Sequence, residues 1–144
     1  MESITNRVII FALPQNLVLE QWDTIKKFIE PVIEISFGEV TLDGIQERLC
    51  VGEEIALFAM NQSTKAIVAV AILGITHFET GKRVLQIPYV GGLEMYKWLE
   101  NGMSIIKSIA REQGCTHIRG CGRPGWAKAI PEFKQIRTIY ECEV

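Results

Sequence analysis

Apolar positions along this chain change period several times, and each change marks an element. Residues 7–13 (RVIIFAL) form a short apolar run that stops at Pro14 and predicts a first strand. Beyond it the spacing lengthens. Asn16 can cap a helix starting at Leu17, and Trp22, Ile25, Phe28, Ile29 and Val32 mark its apolar face. Pro31 is expected to kink it or end it near Glu30. After Phe37-Gly38, Thr41 or Asp43 can cap a second short helix, with Leu42, Ile45 and Leu49 on one side and Gly52 as its stop. The runs 55–60 and 66–78 flank the polar turn Asn61-Gln62-Ser63-Thr64 and read as an antiparallel hairpin. A second turn, residues 79–82, feeds a strand over 83–90. The unbroken stretch IVAVAILGI predicts a strand covered on both faces.

The clearest period lies in the C-terminal half. Met95, Leu99, Gly102/Met103, Ile106 and Ile109/Ala110 share one face of a helix over 93–113, and Gly114 stands where a left-handed stop is cheapest. A strand over 115–121 follows, so strand, helix and strand form a βαβ unit. Val90-Gly91-Gly92 then falls at a strand-to-helix turn, where free N–H groups and the helix dipole suit an anion. Residues 126–133 read as a short helix limited by Pro131. Residues 135–142 read as a last strand, with Ile136, Thr138, Tyr140 and Cys142 on one face. The fold class is α/β (α+β), a mixed sheet in the order β-α-α-β-β-β-α-β-α-β.

Composition narrows the picture without redirecting it. The 144 residues read as a single domain over 1–144, with 15 basic and 17 acidic side chains and a net charge of −2. That balance points away from nucleic acid as the main partner. No apolar run is long enough to span a bilayer, and the N-terminus lacks the pattern of a signal peptide. A cytoplasmic location follows as the expectation. The four cysteines contain no C-x-x-C pair and have two histidines to help them, so no metal site is expected.

This order of elements resembles the GNAT fold of acetyl-CoA-dependent N-acetyltransferases, over nearly the whole chain. In that family the fourth strand splays from the fifth, and the coenzyme's pantetheine arm lies in the gap. The loop after the fourth strand holds the pyrophosphate. The resemblance implies acetyl-CoA as cofactor and Val90, Gly91, Gly92 and Leu93 as its binding residues. The family's usual loop is Gln or Arg, two residues, Gly, one residue, then Gly or Ala; this chain has PYVGGLE, with adjacent glycines and an acidic residue. The stretches VLQIPYVGG, MYKWLENG, AREQGCTHIRGCGRPGW and IYECEV are similar to a divergent GNAT-like group encoded by tailed bacteriophages. That similarity implies two functions. One is acyl transfer from an acyl-CoA to an amine. The other is a non-catalytic virion or assembly role through contacts with phage structural proteins, located in the host cytosol or the particle.

Each candidate residue has a plainer reading beside it. Gly91-Gly92 can serve an anion or simply permit a tight turn or close packing. Arg123 and Trp126, in the rigid turn GRPGW, can meet a ligand or partner, or form a local ion pair and fill the core. Trp98 lies beside the helix's apolar stripe, as the cover of a core edge or as a contact surface. No catalytic residue stands out. Gln86 lies where a carboxylate would be useful, but an amide cannot take a proton. Tyr89 and Tyr140 match no family position. Cys115, His117, Arg119 and Cys121 alternate on one expected strand face.

Overall fold

A computed structural model describes residues 7–35, 38–93, 95–122 and 128–144. Five strands form one sheet in sequential order: β1 (Val8–Ala12), β2 (Glu54–Asn61), β3 (Ile67–His77), β4 (Arg83–Gly92) and β5 (His117–Gly120). The first four are mutually antiparallel, and β5 pairs with β4 in parallel. Helices α1 (Trp22–Glu34) and α2 (Leu42–Cys50) cover one face, and α3 (Met95–Glu112) covers the other. Strand alternation supplies both cores. Ala56, Phe58, Val70 and Ile72 meet Ile25, Ile29, Ile45 and Leu49 on the first face. Leu57, Ala71, Leu73, Leu85 and Ile87 meet Ile106 and Ala110 on the second. The apolar stretch of β3 is thus covered on both sides, as its composition predicts. Among the described residues no helix is long and apolar enough to cross a membrane.

Local chemistry explains several boundaries. Thr41 caps α2 by accepting the Gly44 N–H at 3.0 Å. Gln15 Nε2 donates to the carbonyl of Cys50 at the other end of α2, at 2.7 Å.

The structure departs from several expectations. The first helix does not begin at Leu17. Gln15–Leu17 form a single tight turn that drops Val18 into the core, and α1 starts at Trp22. Of the two outcomes expected at Pro31, α1 does not end there; it runs through to Glu34, because burial of Ile25 and Ile29 outweighs one missing N–H. Gly91 and Gly92 do not form the turn but end β4, paired with Val70 and Ala69. The expected last strand over 135–142 is absent: residues 133–144 carry no regular structure, since a strand pattern without a partner makes no ladder. Of the expected helix over 126–133, the described part is helical only at 128–129, followed by a turn from the Ile130 carbonyl to the Phe133 N–H.

Candidate functional site

Strand β4 changes character at its middle. Val84 to Ile87 pair with His117 to Gly120 of β5, and there the pairing ends. Pro88 cannot donate to a neighbouring strand. The register against β3 also slips here: Ile72 opposes Tyr89 but Gly74 opposes Gln86, so Ile87 and Pro88 together face Leu73. This bulge bends β4 away from β5. From Pro88 to Gly92 the β5 side of the strand is open among the described residues. Leu93 donates its N–H to the Val68 carbonyl. Antiparallel bonding alternates, so Gly91 also turns its main chain toward β3, while Val90 and Gly92 turn theirs toward the opening.

The glycines have definite packing reasons. A Cβ on Gly91 would lie 1.9 Å from the Phe28 carbonyl oxygen, so the bare backbone lets α1 rest on β4. Gly92 has φ +150°, and a Cβ there would come within 2.5 Å of Ala69 Cβ. Leu93 is 72% exposed, at the entrance to α3. Trp98 is only 8% exposed, which corrects its reading as a contact surface. Its indole N–H donates to the Leu93 carbonyl at 2.9 Å and so fixes the connection from strand to helix. Arg123 and Trp126 lie outside the described residues.

On the α2 side of the same bulge is an open cleft of about 520 Å³, lined by Arg48, Glu53, Glu54, Gly74, Thr76, Gln86 and Pro88 among others. Pairing explains its shape. Glu54, Gly74 and Gln86 form one cross-strand row. With glycine in the middle, the two polar side chains stand about 10 Å apart, two strand spacings, over a bare floor. Arg48 Nε donates to Glu54 Oε1 at 2.7 Å. Glu54 Oε2 lies over Gly74, 3.9 Å from where a Cβ would stand. Tyr89 belongs to the next row, opposite Ile72. Burial first, and then the charge of Glu54, push its phenol above the ordinary value of 10.0; Arg48 pulls it back, and Glu39 and Cys121 add smaller upward effects. The group therefore stays protonated at neutral pH and has a proton to donate.

The sequence reading missed Arg48 and Glu54, which face each other only after α2 packs on β2. The available signal was Gly74, a lone glycine inside an apolar strand. The alternating set Cys115, His117, Arg119 and Cys121 is not one face. Cys115 precedes β5 and packs into the core under α3, whereas the Arg119 guanidinium lies 5.1 Å above the Phe78 ring. Tyr140 is remote from any ordered element and almost fully exposed.

A mixed sheet whose parallel pair opens at a bulge, beside a polar cleft, is the architecture of GNAT acetyltransferases. Solved structures of that class superpose on nearly the entire chain. One described as a probable acetyltransferase has a TM-score of 0.68 at 15% identity, covering 96% of this chain and 97% of the other. An aminoglycoside acetyltransferase from an uncultured soil metagenomic sample, solved with sisomicin, has a TM-score of 0.67 at 15% identity, covering 99% and 100%. An aminoglycoside N-acetyltransferase solved with CoA has a TM-score of 0.65 at 14% identity, covering 95% of each chain. No protein-family model and no curated protein sequence matches. The shared property is the fold.

Proposed function

We propose that this chain is an acyl-CoA-dependent N-acyltransferase built as one GNAT-like domain. The observation that carries the reading is the end of β4–β5 pairing at Pro88, next to a cleft holding a carboxylate, with a neutral phenol in the adjoining cross-strand row. The residues present fit an acyl-CoA. Val90 and Gly92 turn main-chain groups toward the opening, where no described residue pairs with them, and a helix N-terminus such as that of α3 suits a phosphate. Leu93 borders that turn. Acetyl-CoA, when bound, supplies an activated acyl group as a thioester.

The chain's own residues then divide the work. Glu54, held by Arg48, draws a cationic amine into the cleft and takes one proton as the amine becomes nucleophilic; a second proton leaves the nitrogen for solvent as the amide forms. The new bond joins the amine nitrogen to the acyl carbon, and the carbon–sulfur bond breaks. Tyr89 gives its proton to the departing thiolate and regains one from solvent. The solved relatives with CoA and with sisomicin support this class of donor and acceptor. The C-terminal motifs shared with phage-encoded GNAT-like proteins support a phage enzyme acting in the host cytosol.

One observation favours a second reading, a non-catalytic phage assembly component that binds structural proteins. The N–H and carbonyl of Leu93 are both committed, to Val68 and Trp98, so the predicted turn has fewer donors to offer. Calorimetry with acetyl-CoA separates the two. Saturable binding by the natural chain, weakened in Leu93→Glu, is the expected result. No heat from a folded sample overturns the enzyme reading and directs the search to phage structural proteins.

A further inference from the structure

The polar row in the cleft is longer than the cleft itself. Glu54 opposes Gly74, Gly74 opposes Gln86, and Gln86 opposes Arg119 across the parallel pair. Directly opposed residues project to the same face of a sheet, so the row crosses four strands on the α2 side and ends on β5. Ile118, next to Arg119, packs under α3, which leaves Arg119 on the other face. No residue of β5 joins the core beneath α1 and α2. The two ends of the row carry opposite charge. At one end Glu53 and Glu54 line the cleft, and Arg48 is matched to Glu54. At the other, the Arg119 guanidinium lies 5.1 Å above the Phe78 ring, and among the described residues no carboxylate pairs with it.

Each position suits one part of a ligand. Glu54 takes the amine. Gly74 presents no side chain, so a ligand can cross there close to the backbone. Gln86 has both a donor and an acceptor for an amide or hydroxyl. Arg119 has a planar fork of N–H groups that matches a carboxylate, and its ring contact restrains the side chain before a ligand arrives. We propose that the acceptor is an amine that also carries a carboxylate, with the amine at Glu54 and the carboxylate at Arg119. Both assignments rest on the acyltransferase reading of the cleft. Three strand spacings separate the ends of the row by about 14 Å. Four residues of extended chain span about the same distance. A polycation fits poorly: it meets the guanidinium groups of Arg48 and Arg119, while the Glu54 carboxylate already has a partner.

The test measures thiol release from acetyl-CoA by the full chain with three acceptors. Two are amidated peptides with a free N-terminal amine, one with glutamate at its fourth position and the other with glutamine there; the third is sisomicin. The expected kcat/KM is about tenfold higher for the glutamate peptide than for the glutamine peptide, the contribution of a hydrogen bond between charged groups, with sisomicin below both. Arg119→Gln is expected to lower the glutamate peptide to the level of the glutamine peptide. Arg119→Lys keeps the charge and is expected to keep part of the preference. Equal rates with the two peptides overturn the proposal, as does a preference that survives Arg119→Gln. A raised KM for acetyl-CoA in that variant assigns Arg119 to the coenzyme and overturns it as well, and so does sisomicin as the fastest acceptor. No thiol release with any acceptor also overturns it. Calorimetry with acetyl-CoA then separates the two failures: bound coenzyme leaves the acyltransferase reading standing, whereas no heat from a folded sample removes both.

Discussion

The two faces of the sheet use the same strands for opposite purposes. Toward α3, the space beside Val90, Trp98, Gly102, Met103 and Ile106 closes to a cavity of about 40 Å³ lined only by apolar residues. An apolar lining gives a water no partners there. Toward α2, the same strands open into a polar cleft of about 520 Å³. The bulge in β4 sets the contrast, because it sends Ile87 and Val90 to the α3 side while Gln86 lines the cleft and Tyr89 packs on the α1 and α2 side. One glycine on each face makes the point sharper. Gly102 of α3 faces Ile10 and Trp98 on the apolar side, and Gly74 clears a floor between two polar side chains. A single strand set can therefore serve stability on one side and chemistry on the other.

Substitutions at the shared strand and at each face break this contrast to different degrees. Gly91→Val drives a side chain into the Phe28 carbonyl and separates α1 from β4. A loss of about 4 kcal/mol or more is expected, read by denaturant unfolding. Glu54→Gln keeps the shape of the cleft but cannot take a proton. Acyl transfer to an amine is expected to fall on the order of 100-fold, with acetyl-CoA binding retained in calorimetry. Gly74→Ala and Gly102→Ala form a matched pair, since the new methyl meets only ordinary contacts at each position, 3.7 Å from Glu54 Cγ and 3.5 Å from Ile10 Cδ1. Both are expected to raise stability by about 0.5–1 kcal/mol. Only Gly74→Ala is expected to weaken amine turnover, by about tenfold in kcat/KM, because it alone narrows the cleft.

The smallest effect is on titration. Tyr89 has its folded pKa raised above 10.0, so its contribution to stability is present below pH 10.0 and lost as pH rises through the folded value. Glu54→Gln removes one of the raising charges. The phenol's ultraviolet titration is then expected to move to lower pH, though burial keeps it from falling all the way. An unmoved titration would separate Glu54 from Tyr89 and remove the proposed acid–base pair.

Elements with strong local patterning were legible in the sequence. The apolar stripe of α3, the Thr41 cap, the hairpin of β2 and β3 and the apolar run of β3 all follow from period and turn chemistry acting over a few residues. The order of these elements was enough to suggest the GNAT architecture. The open half of β4 was legible in part, since Pro88 and the glycines stood in plain view. What Gly91 and Gly92 do was not, because their need for a missing side chain comes from Phe28 and Ala69, far away in the chain. The row of Glu54, Gly74 and Gln86 likewise arises only when three strands pair in one register. Local sequence set which segments became helix or strand, because those preferences are summed over neighbouring residues. The tertiary structure decided which side chains share a face, where the sheet opens and which polar groups meet, because those depend on contacts between segments that no local pattern encodes.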